Sequence, residues 1–194
     1  MKIFISGGCK NGKSTYALKM ASAMAGADQK RALYYVATMR AGDDEDLQRI
    51  RRHRHNRQGM GFVTVEQERD IIQILNSCDR SGTFLIDSTT ALLANEMFSR
   101  DGGCREDAGE KVADELKILI SDLENIVFVS DYIYADVAFC DETTREYCKS
   151  LAAIDRVCAK YCDIVIEAAY GKFCVHKGGE NIGSDFWRSI SGKV

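Results

Sequence analysis

A glycine-rich segment near the N-terminus constrains the fold of this chain more than any other feature. Residues 7–14 satisfy the phosphate-loop pattern G-x-x-x-x-G-K-[S/T], follow a strand-like run at residues 3–6 and precede an alanine-rich helical stretch at residues 13–25. Such a loop turns its backbone N–H groups toward an anion at a helix N-terminus, where the helix dipole also favours phosphate. The sequence therefore predicts that a nucleotide triphosphate contacts Gly7, Gly8, Cys9, Lys10, Asn11, Gly12, Lys13 and Ser14.

Two side chains of this loop have expected roles in phosphate chemistry. Lys13 is expected to reach the β- and γ-phosphates, and the Ser14 hydroxyl to coordinate Mg²⁺. An acidic ligand from a neighbouring strand end would complete the metal site, and residues 84–87, Phe-Leu-Ile-Asp, have the form of a Walker B strand. Asp87 is therefore the predicted second magnesium ligand. The alternative is that Asp87 acts as a helix N-cap before residues 88–90, since aspartate is favoured there.

Short apolar runs rich in β-forming residues alternate with longer helical stretches along the whole chain. The predicted strands are residues 3–6, 33–38, 62–65, 84–87, 126–130 and 164–168, and the predicted helices are residues 13–25, 43–57, 108–123 and 143–161. This alternation predicts an α/β fold of the P-loop NTPase type, with a mainly parallel sheet and helices on both faces. Ligands of such sheets bind beyond the carboxyl ends of the strands. The candidate site therefore lies in the residues that follow each run, namely residues 7–14, 38–45, 66, 87–90 and 131–136.

Composition narrows the class of protein. The chain has no proline and no serine- or glycine-rich linker, so residues 1–194 are expected to form one domain, with a C-terminal tail from about residue 178. Its apolar runs are too short for a membrane span and its start lacks a secretory signal, which favours a cytoplasmic protein. A net charge of −3 argues against a general nucleic-acid-binding surface.

The eight cysteines invite a disulfide or zinc interpretation, but they form no matched pair of C-x-x-C motifs. Cys158 and Cys162 lie at helical i,i+4 spacing, yet a zinc site requires about three or four ligands. We expect reduced thiols and no metal site built from protein ligands alone.

A strongly basic segment, residues 49–57, is the second unusual feature of the sequence. Helical periodicity places Arg49, His53 and Arg57 on one stripe, whereas His55 falls on another side and is expected to face solvent. The arginines would lower the pKa of His53 and keep its imidazole neutral and nucleophilic. Three interpretations remain open from chemistry alone: a catalytic His53, a helix that only binds phosphate, and a local nucleic-acid patch.

These motifs, taken in order, resemble the bifunctional adenosylcobinamide kinase/adenosylcobinamide-phosphate guanylyltransferases of cobalamin biosynthesis. The likeness covers most of the chain. It is densest in the phosphate loop, in Tyr-Val-Ala-Thr at residues 35–38 and in the R-I-x-x-H-R-x-x-R pattern of residues 49–57. This ordered combination is far more specific than a phosphate loop alone.

The resemblance implies a two-step transfer through a covalent intermediate. His53 would attack the α-phosphate of GTP, expel pyrophosphate and carry GMP as a phosphoramidate to adenosylcobinamide phosphate. The same family phosphorylates adenosylcobinamide with ATP or GTP. The resemblance also implies Mg²⁺, a homo-oligomer that is commonly a trimer, and further nucleotide contacts from Ala37, Thr38, Met39, Arg54, His55, Asn56, Arg57, Glu66 and Asp87.

The segment after the strand at residues 126–129 departs from the family pattern, as do Lys10 and Asn11 of the phosphate loop and residues 150–155. After the strand at residues 126–129 the family usually carries Asn-Glu-Val-Gly, whereas residues 130–134 read Ser-Asp-Tyr-Ile-Tyr. Tyr132 and Tyr134 either stack on a flat ligand or cover the sheet. This departure leaves two alternative functions open: a P-loop kinase for a small molecule that transfers only the γ-phosphoryl group, or a nucleotide-binding regulatory protein that has lost catalysis.

Overall fold

The structure, a computed structural model, describes residues 1–26, 31–99, 101–134 and 141–181. Within these residues one seven-stranded sheet dominates the molecule. Its strands are β1 (Lys2–Gly7), β2 (Leu33–Ala37), β3 (Phe62–Glu66), β4 (Thr83–Asp87), β5 (Asn125–Val129), β6 (Ile164–Ala169) and β7 (Lys172–Lys177). They lie in the order β3-β2-β4-β5-β1-β6-β7, and every neighbouring pair is parallel except β6 and β7.

Helices cover both faces of the sheet. They are α1 (Lys13–Gly26), α2 (Asp44–Asn56), α3 (Ile74–Ser77), α4 (Thr89–Met97), α5 (Ala108–Asp122) and α6 (Glu142–Tyr161), with short 3-10 turns at Ile71–Gln73 and Gly179–Asn181. The apolar face of α1 packs on one side with Ile3, Ile5 and Leu85, whereas α4, α5 and α6 pack on the other with Phe4 and Phe84. The predicted α/β fold of the P-loop type, with a mainly parallel sheet and helices on both faces, is confirmed.

The register of the parallel strands brings the candidate residues to one edge of the sheet. Ala37 at the end of β2 lies opposite both Glu66 of β3 and Asp87 of β4. Asp87 in turn lies opposite Val129 of β5, whose partner on the other side is Ile5 of β1. The phosphate loop and the residues that follow β2, β4 and β5 therefore share the carboxyl edge, where open α/β sheets bind their ligands.

Strand β7 and helices α3 and α4 are not predicted from the sequence. Strand β7 reads Lys-Phe-Cys-Val-His-Lys and is largely exposed at the sheet edge, so it lacks the apolar run that marks the other strands. Helix α4 begins at an N-cap, Ser88, whose hydroxyl accepts a hydrogen bond from Ala91 N at 3.2 Å. The alternative role of Asp87 as that cap is therefore wrong, because Asp87 is still the last residue of β4.

Some predicted features fall at or beyond the limits of the described residues. The C-terminal tail lies outside them after residue 181, and so do residues 135–136 of the predicted loop after β5. Among the described residues, no helix has both the length and the apolar character that crossing a bilayer demands.

Candidate active site

The phosphate loop has a backbone that its glycines make possible. Gly7 passes so close to β6 that an added Cβ would lie 2.2 Å from the Ala168 carbonyl oxygen. Gly12, at the point where the loop turns into α1, has a φ of +80°. Such a conformation is unfavourable for residues that carry a Cβ. The turn from β1 into α1 therefore depends on glycine at both ends of the loop.

The lysine of the loop is buried and already paired. Lys13 is 4% exposed, and its Nζ donates to the Gly8 carbonyl oxygen at 2.6 Å. The same Nζ lies 2.8 Å from Asp131 Oδ1, just beyond the end of β5. The ammonium group is thus held at the sheet edge by a carbonyl and a carboxylate, both of which an incoming phosphate would replace.

Asp87 connects the phosphate loop to two other elements. Its Oδ1 accepts a hydrogen bond from Ser14 Oγ at 3.3 Å, and its Oδ2 accepts one from the Tyr35 hydroxyl at 2.9 Å. Oδ2 also lies 3.5 Å from His53 Nδ1 on α2. Burial, followed by the Asp87 charge, raises the pKa of Tyr35, so the phenol stays protonated and remains a donor. The predicted pair Ser14 and Asp87 is brought together, and its oxygen donors are of the kind that Mg²⁺ prefers.

Helix α2 stands at the carboxyl edge and buries none of its residues. Its N-cap, Asp43, accepts a hydrogen bond from Asp46 N at 2.9 Å. Along its length it meets the rest of the protein through charged groups: Arg49 lies 4.0 Å from Asp131, and Arg54 lies 2.6 Å from Glu66. The helix is therefore held mainly by ion pairs, which are weak where they are exposed to solvent.

The C-terminal cap of α2 is the exception to this exposure. Arg57 is 8% exposed, and its guanidinium donates to Thr64 Oγ1 on β3 at 3.1 and 3.2 Å. It also stacks over the Tyr35 ring, 4.1 Å from the ring centroid. Arg57 thus fastens one end of α2 to the sheet.

A cavity of about 560 Å³ separates α2 from the strand ends and from α4. This volume is in the range of ligand-binding pockets, which is about 300–1,000 Å³. Apolar side chains from α2 (Leu47 and Ile50) and from α4 (Ala91 and Ala94) line part of it. Titratable side chains also line it, namely Arg49, Arg51, His53, Arg54, Arg57, Glu66, Glu68, Asp87 and Asp131. Of the predicted site residues, this cavity brings together Ala37, Met39, His53, Arg54, Arg57, Glu66 and Asp87.

The phosphate-loop residues 7–14 are not among the residues that line this cavity, and three further predicted contacts also lie elsewhere. Thr38 is fully buried, and its hydroxyl exchanges hydrogen bonds of 2.7 Å with the backbone of Ser88, so it joins the ends of β2 and β4 without lining the cavity. His55 and Asn56 are exposed on α2 and are not among the lining residues, because the helix turns them away. The expectation that His55 faces solvent agrees with this position, and the nucleotide contacts expected from His55 and Asn56 stay predictions.

The pKa of His53 is lowered, as predicted, but the arginines are only part of the cause. Burial is the largest cause that lowers the pKa of His53, and the charges of Arg49, Arg57 and Arg52 lower it further, while Asp87 opposes them. The sequence had indicated the arginines alone. The result is an imidazole that is neutral at physiological pH. With Nδ1 directed at Asp87, its Nε2 is the nitrogen left for attack.

Comparison with known proteins identifies the family. The chain matches the family described as cobinamide kinase / cobinamide phosphate guanyltransferase over residues 3–174, which includes the phosphate loop and all of α2. The chain belongs to this family. It is also 28% identical over 166 residues to the bifunctional adenosylcobalamin biosynthesis protein CobP of Pseudomonas aeruginosa, covering 85% of this chain and 91% of that protein.

Solved structures with a similar backbone come from Pyrococcus horikoshii OT3. A KaiC-like protein has a TM-score of 0.48 and 14% identity, covering 92% of this chain and 79% of that one. A second protein, solved in a structural study, has a TM-score of 0.47 and 9% identity, covering 95% of this chain and 88% of that one.

For this member of the cobinamide kinase / cobinamide phosphate guanyltransferase family, sequence reasoning missed two polar groups of the site. The sequence pattern marks Tyr35 only as part of the Tyr-Val-Ala-Thr strand. It marks Asp131 only as a residue that follows a strand, in the segment that departs from the family pattern. Asp131 N donates to Thr90 Oγ1 at 2.8 Å, which places its carboxylate beside Lys13. The signal for Asp131 was its position at a strand end, which alone did not indicate its partner.

The two tyrosines of that segment differ in role. Their rings meet edge to face with centroids 4.6 Å apart. Tyr134 packs against the core and donates to Asp155 Oδ2 at 3.1 Å, so it covers the sheet. Tyr132 is 49% exposed, but its backbone N donates to the Gly7 carbonyl oxygen at 2.8 Å and ties the segment to the phosphate loop.

Proposed function

We propose that this protein is an adenosylcobinamide kinase and adenosylcobinamide-phosphate guanylyltransferase that transfers GMP through guanylylated His53. One observation carries the proposal. A single carboxylate, Asp87, contacts the phosphate-loop serine through one oxygen and lies 3.5 Å from the His53 imidazole through the other. A nucleotide whose triphosphate rests in the loop therefore has a neutral imidazole near its phosphates, as covalent catalysis requires.

The first step of the proposed transfer is a displacement at the α-phosphate of GTP. Asp87 orients the imidazole through Nδ1, and Nε2 attacks phosphorus. The bond from the α-phosphorus to the bridging oxygen breaks, pyrophosphate leaves, and GMP remains on His53 as a phosphoramidate. Lys13 and the arginines of α2 stabilise the negative charge that develops on the leaving group. In the second step a phosphate oxygen of adenosylcobinamide phosphate attacks the same phosphorus and releases His53.

Ser14 and Asp87 would hold Mg²⁺ bound to the nucleotide, because a hydroxyl and a carboxylate stand together beside the loop. The ion would neutralise phosphate charge and orient the chain of phosphates. ATP or GTP would serve the kinase reaction, with Lys13 near the γ-phosphate. Met39, Glu66 and the apolar side of α2 border the space left for the nucleoside and the acceptor.

A covalent labelling experiment tests the transferase half. Purified protein incubated with Mg²⁺ and [α-³²P]GTP is expected to become labelled through a bond that is acid-labile and base-stable, as a phosphoramidate is. His53→Ala should remove the label. His55→Ala is the matched control, since this imidazole lies on the same helix but is exposed and outside the cavity, and it should label like the wild type.

The same assay separates the alternatives. A kinase without the transferase step would pass γ-label to adenosylcobinamide while α-label never becomes bound to the protein. A regulatory homologue would bind GTP in calorimetry and show neither reaction. Labelling that survives in His53→Ala would contradict the proposed intermediate. The homo-oligomer and the cytoplasmic location suggested by the sequence stay predictions, to be checked by light scattering and by fractionation of cells.

A further inference from the structure

We propose that Asp131 is the general base of the kinase half-reaction, taking the proton from the acceptor hydroxyl as it attacks the γ-phosphate. This inference rests on the proposed function, because it assigns a residue to one of the two activities. It adds a role for the segment in which this chain departs from the family pattern.

The position of Asp131 follows from its contact with the loop lysine. Asp131 Oδ1 lies 2.8 Å from Lys13 Nζ. Since a phosphate-loop lysine reaches the β- and γ-phosphates when nucleotide is bound, a group that touches its ammonium lies beside the γ-phosphoryl group. A base within one hydrogen bond of the attacking hydroxyl must occupy this neighbourhood.

The carboxylate is also fixed in direction and open to a ligand. Asp131 N donates to Thr90 Oγ1 at 2.8 Å, and the next residue, Tyr132, donates its N–H to Gly7 O at 2.8 Å. These bonds hold the backbone of residue 131 against both α4 and the loop. Asp131 lines the cavity, and its second oxygen, Oδ2, lies 4.0 Å from Arg49 on the far wall. The Asp131 side chain is 15% exposed.

Other carboxylates of the cavity are engaged or distant from the loop lysine. Asp87 accepts from Ser14 and Tyr35 and orients His53. Glu66 is paired with Arg54 at 2.6 Å on the opposite side of the cavity. Among the described carboxylates that line the cavity, Asp131 is the one that contacts Lys13.

The proposed step balances without a further reactant. The acceptor O–H bond breaks and its proton moves to Asp131 Oδ2, while the oxygen forms a bond to the γ-phosphorus. The bond from that phosphorus to the β–γ bridging oxygen breaks, and its electron pair leaves with the nucleoside diphosphate. Lys13 passes from Asp131 to the phosphates as nucleotide binds, and Asp131 afterwards releases its proton to water.

Guanylyl transfer does not need this base. The nucleophiles there are a neutral imidazole and a phosphate oxygen that is already ionised, so neither carries a proton on the attacking atom. The two activities of one protein thus give an internal control. Loss of the Asp131 carboxylate should affect phosphorylation and spare covalent labelling.

The test compares Asp131→Asn with wild type in two assays. Phosphorylation of adenosylcobinamide from [γ-³²P]ATP should lose roughly 10²–10⁴-fold in kcat, which is the usual contribution of a general base, with the KM for ATP changed only a few-fold. Labelling of the protein by [α-³²P]GTP should stay within a few-fold of wild type and also shows that the variant is folded. Asp131→Glu, which keeps the base, should recover part of the lost kcat. Asp122→Asn, on α5 and paired with Arg80, is a control for the loss of an acidic charge.

The separation of kcat from KM and the partial rescue by Asp131→Glu are readouts that a purely structural role would not move. The inference is overturned if the variant keeps wild-type kcat, or if labelling and phosphorylation fall together, since Asp131 would then only hold Lys13. A wild-type protein that phosphorylates but takes up no α-label would contradict the transferase proposal and leave selective loss in Asp131→Asn as support for the base.

Discussion

The phosphate loop and α2 both contact Asp87 and Asp131, but they are held in different ways. The loop lies between β1 and α1, whose side chains fill the core, and its lysine is 4% exposed. Helix α2 has no buried residue and meets the sheet through charged groups. The loop is thus joined at both ends to elements that fill the core, whereas α2 meets the sheet largely through charged groups.

This difference has a direct consequence for nucleotide binding. Asp87 and Asp131 contact both regions: each has a polar partner on the loop side, and on α2 Asp87 lies near the His53 imidazole and Asp131 near the Arg49 guanidinium. A triphosphate with its metal would compete for the same carboxylates and the same cations. Binding is therefore expected to rearrange the contacts of α2 more than those of the loop, because exposed ion pairs contribute only about 0–1 kcal/mol each.

The largest effect is expected from the loop. Lys13→Ala removes the buried ammonium that balances phosphate charge, and the rate of labelling by [α-³²P]GTP should fall by about 10²–10³-fold, as for the loss of one preorganised donor. The measurement is the initial rate of covalent labelling at saturating nucleotide. Lys10→Ala is the matched control and should stay within a few-fold of wild type, because the Lys10 side chain is exposed and alanine keeps the backbone N–H through which the loop is expected to contact phosphate. Equal losses in both variants would mean that only the general positive charge of the loop matters.

A smaller effect is expected where α2 is fastened. Arg57→Ala removes the stacking on Tyr35 and the hydrogen bonds to Thr64, and should reduce the free energy of unfolding of the nucleotide-free protein by about 1–2 kcal/mol. Urea denaturation followed by circular dichroism measures it. Arg51→Ala, an exposed arginine of the same helix, should change it by less than about 0.5 kcal/mol. Indistinguishable midpoints for the two variants would show that α2 has no anchor in the absence of ligand.

The difference between the phosphate loop and α2 also shows which parts of the fold and the site can be predicted from the sequence. The loop, strands β1 to β6 and the stripe of His53 follow from local patterns, which the structure bears out. The partner of Lys13 did not follow, because Asp131 reaches it only through the adjacency of β1 and β5 in the sheet, and strand order is not written in any local motif. Strand β7 lacked an apolar run, since an exposed edge strand needs none.

A continuous run of residues on a helix does not predict which of its side chains contact a ligand. The span from Arg54 to Arg57 was expected to contact nucleotide as a block. A helix turns successive side chains by about 100° each, so such a block is divided between faces. His55 and Asn56 accordingly point away from the cavity that Arg54 and Arg57 line.

The smallest predicted effect concerns Arg49, whose positive charge acts on His53 of the same helix, α2. In the proposed transfer His53 attacks only when it is neutral, so labelling by [α-³²P]GTP should fall as pH drops through the pKa of His53, which burial and the neighbouring arginines keep below its ordinary value. Arg49→Gln removes one of the positive charges that lower this pKa. The acid limb of the labelling rate should therefore move to higher pH, and Arg49→Lys, which retains the charge, should leave it close to the wild-type position.

For each variant, the pH at which the labelling rate falls must be measured relative to that variant's own maximal rate. Arg49 also lies near Asp131, so its loss is expected to change the maximal rate itself. Moderate salt should move the wild-type limb in the same direction as Arg49→Gln, since screening weakens an exposed charge within about 10 Å at 0.1 M ionic strength. A limb that stays fixed in Arg49→Gln would show that burial alone sets the pKa of His53. In that case α2 would rely on exclusion of water, as the phosphate loop does. The two regions would then differ in how they are attached to the fold, but not in how their functional groups are tuned.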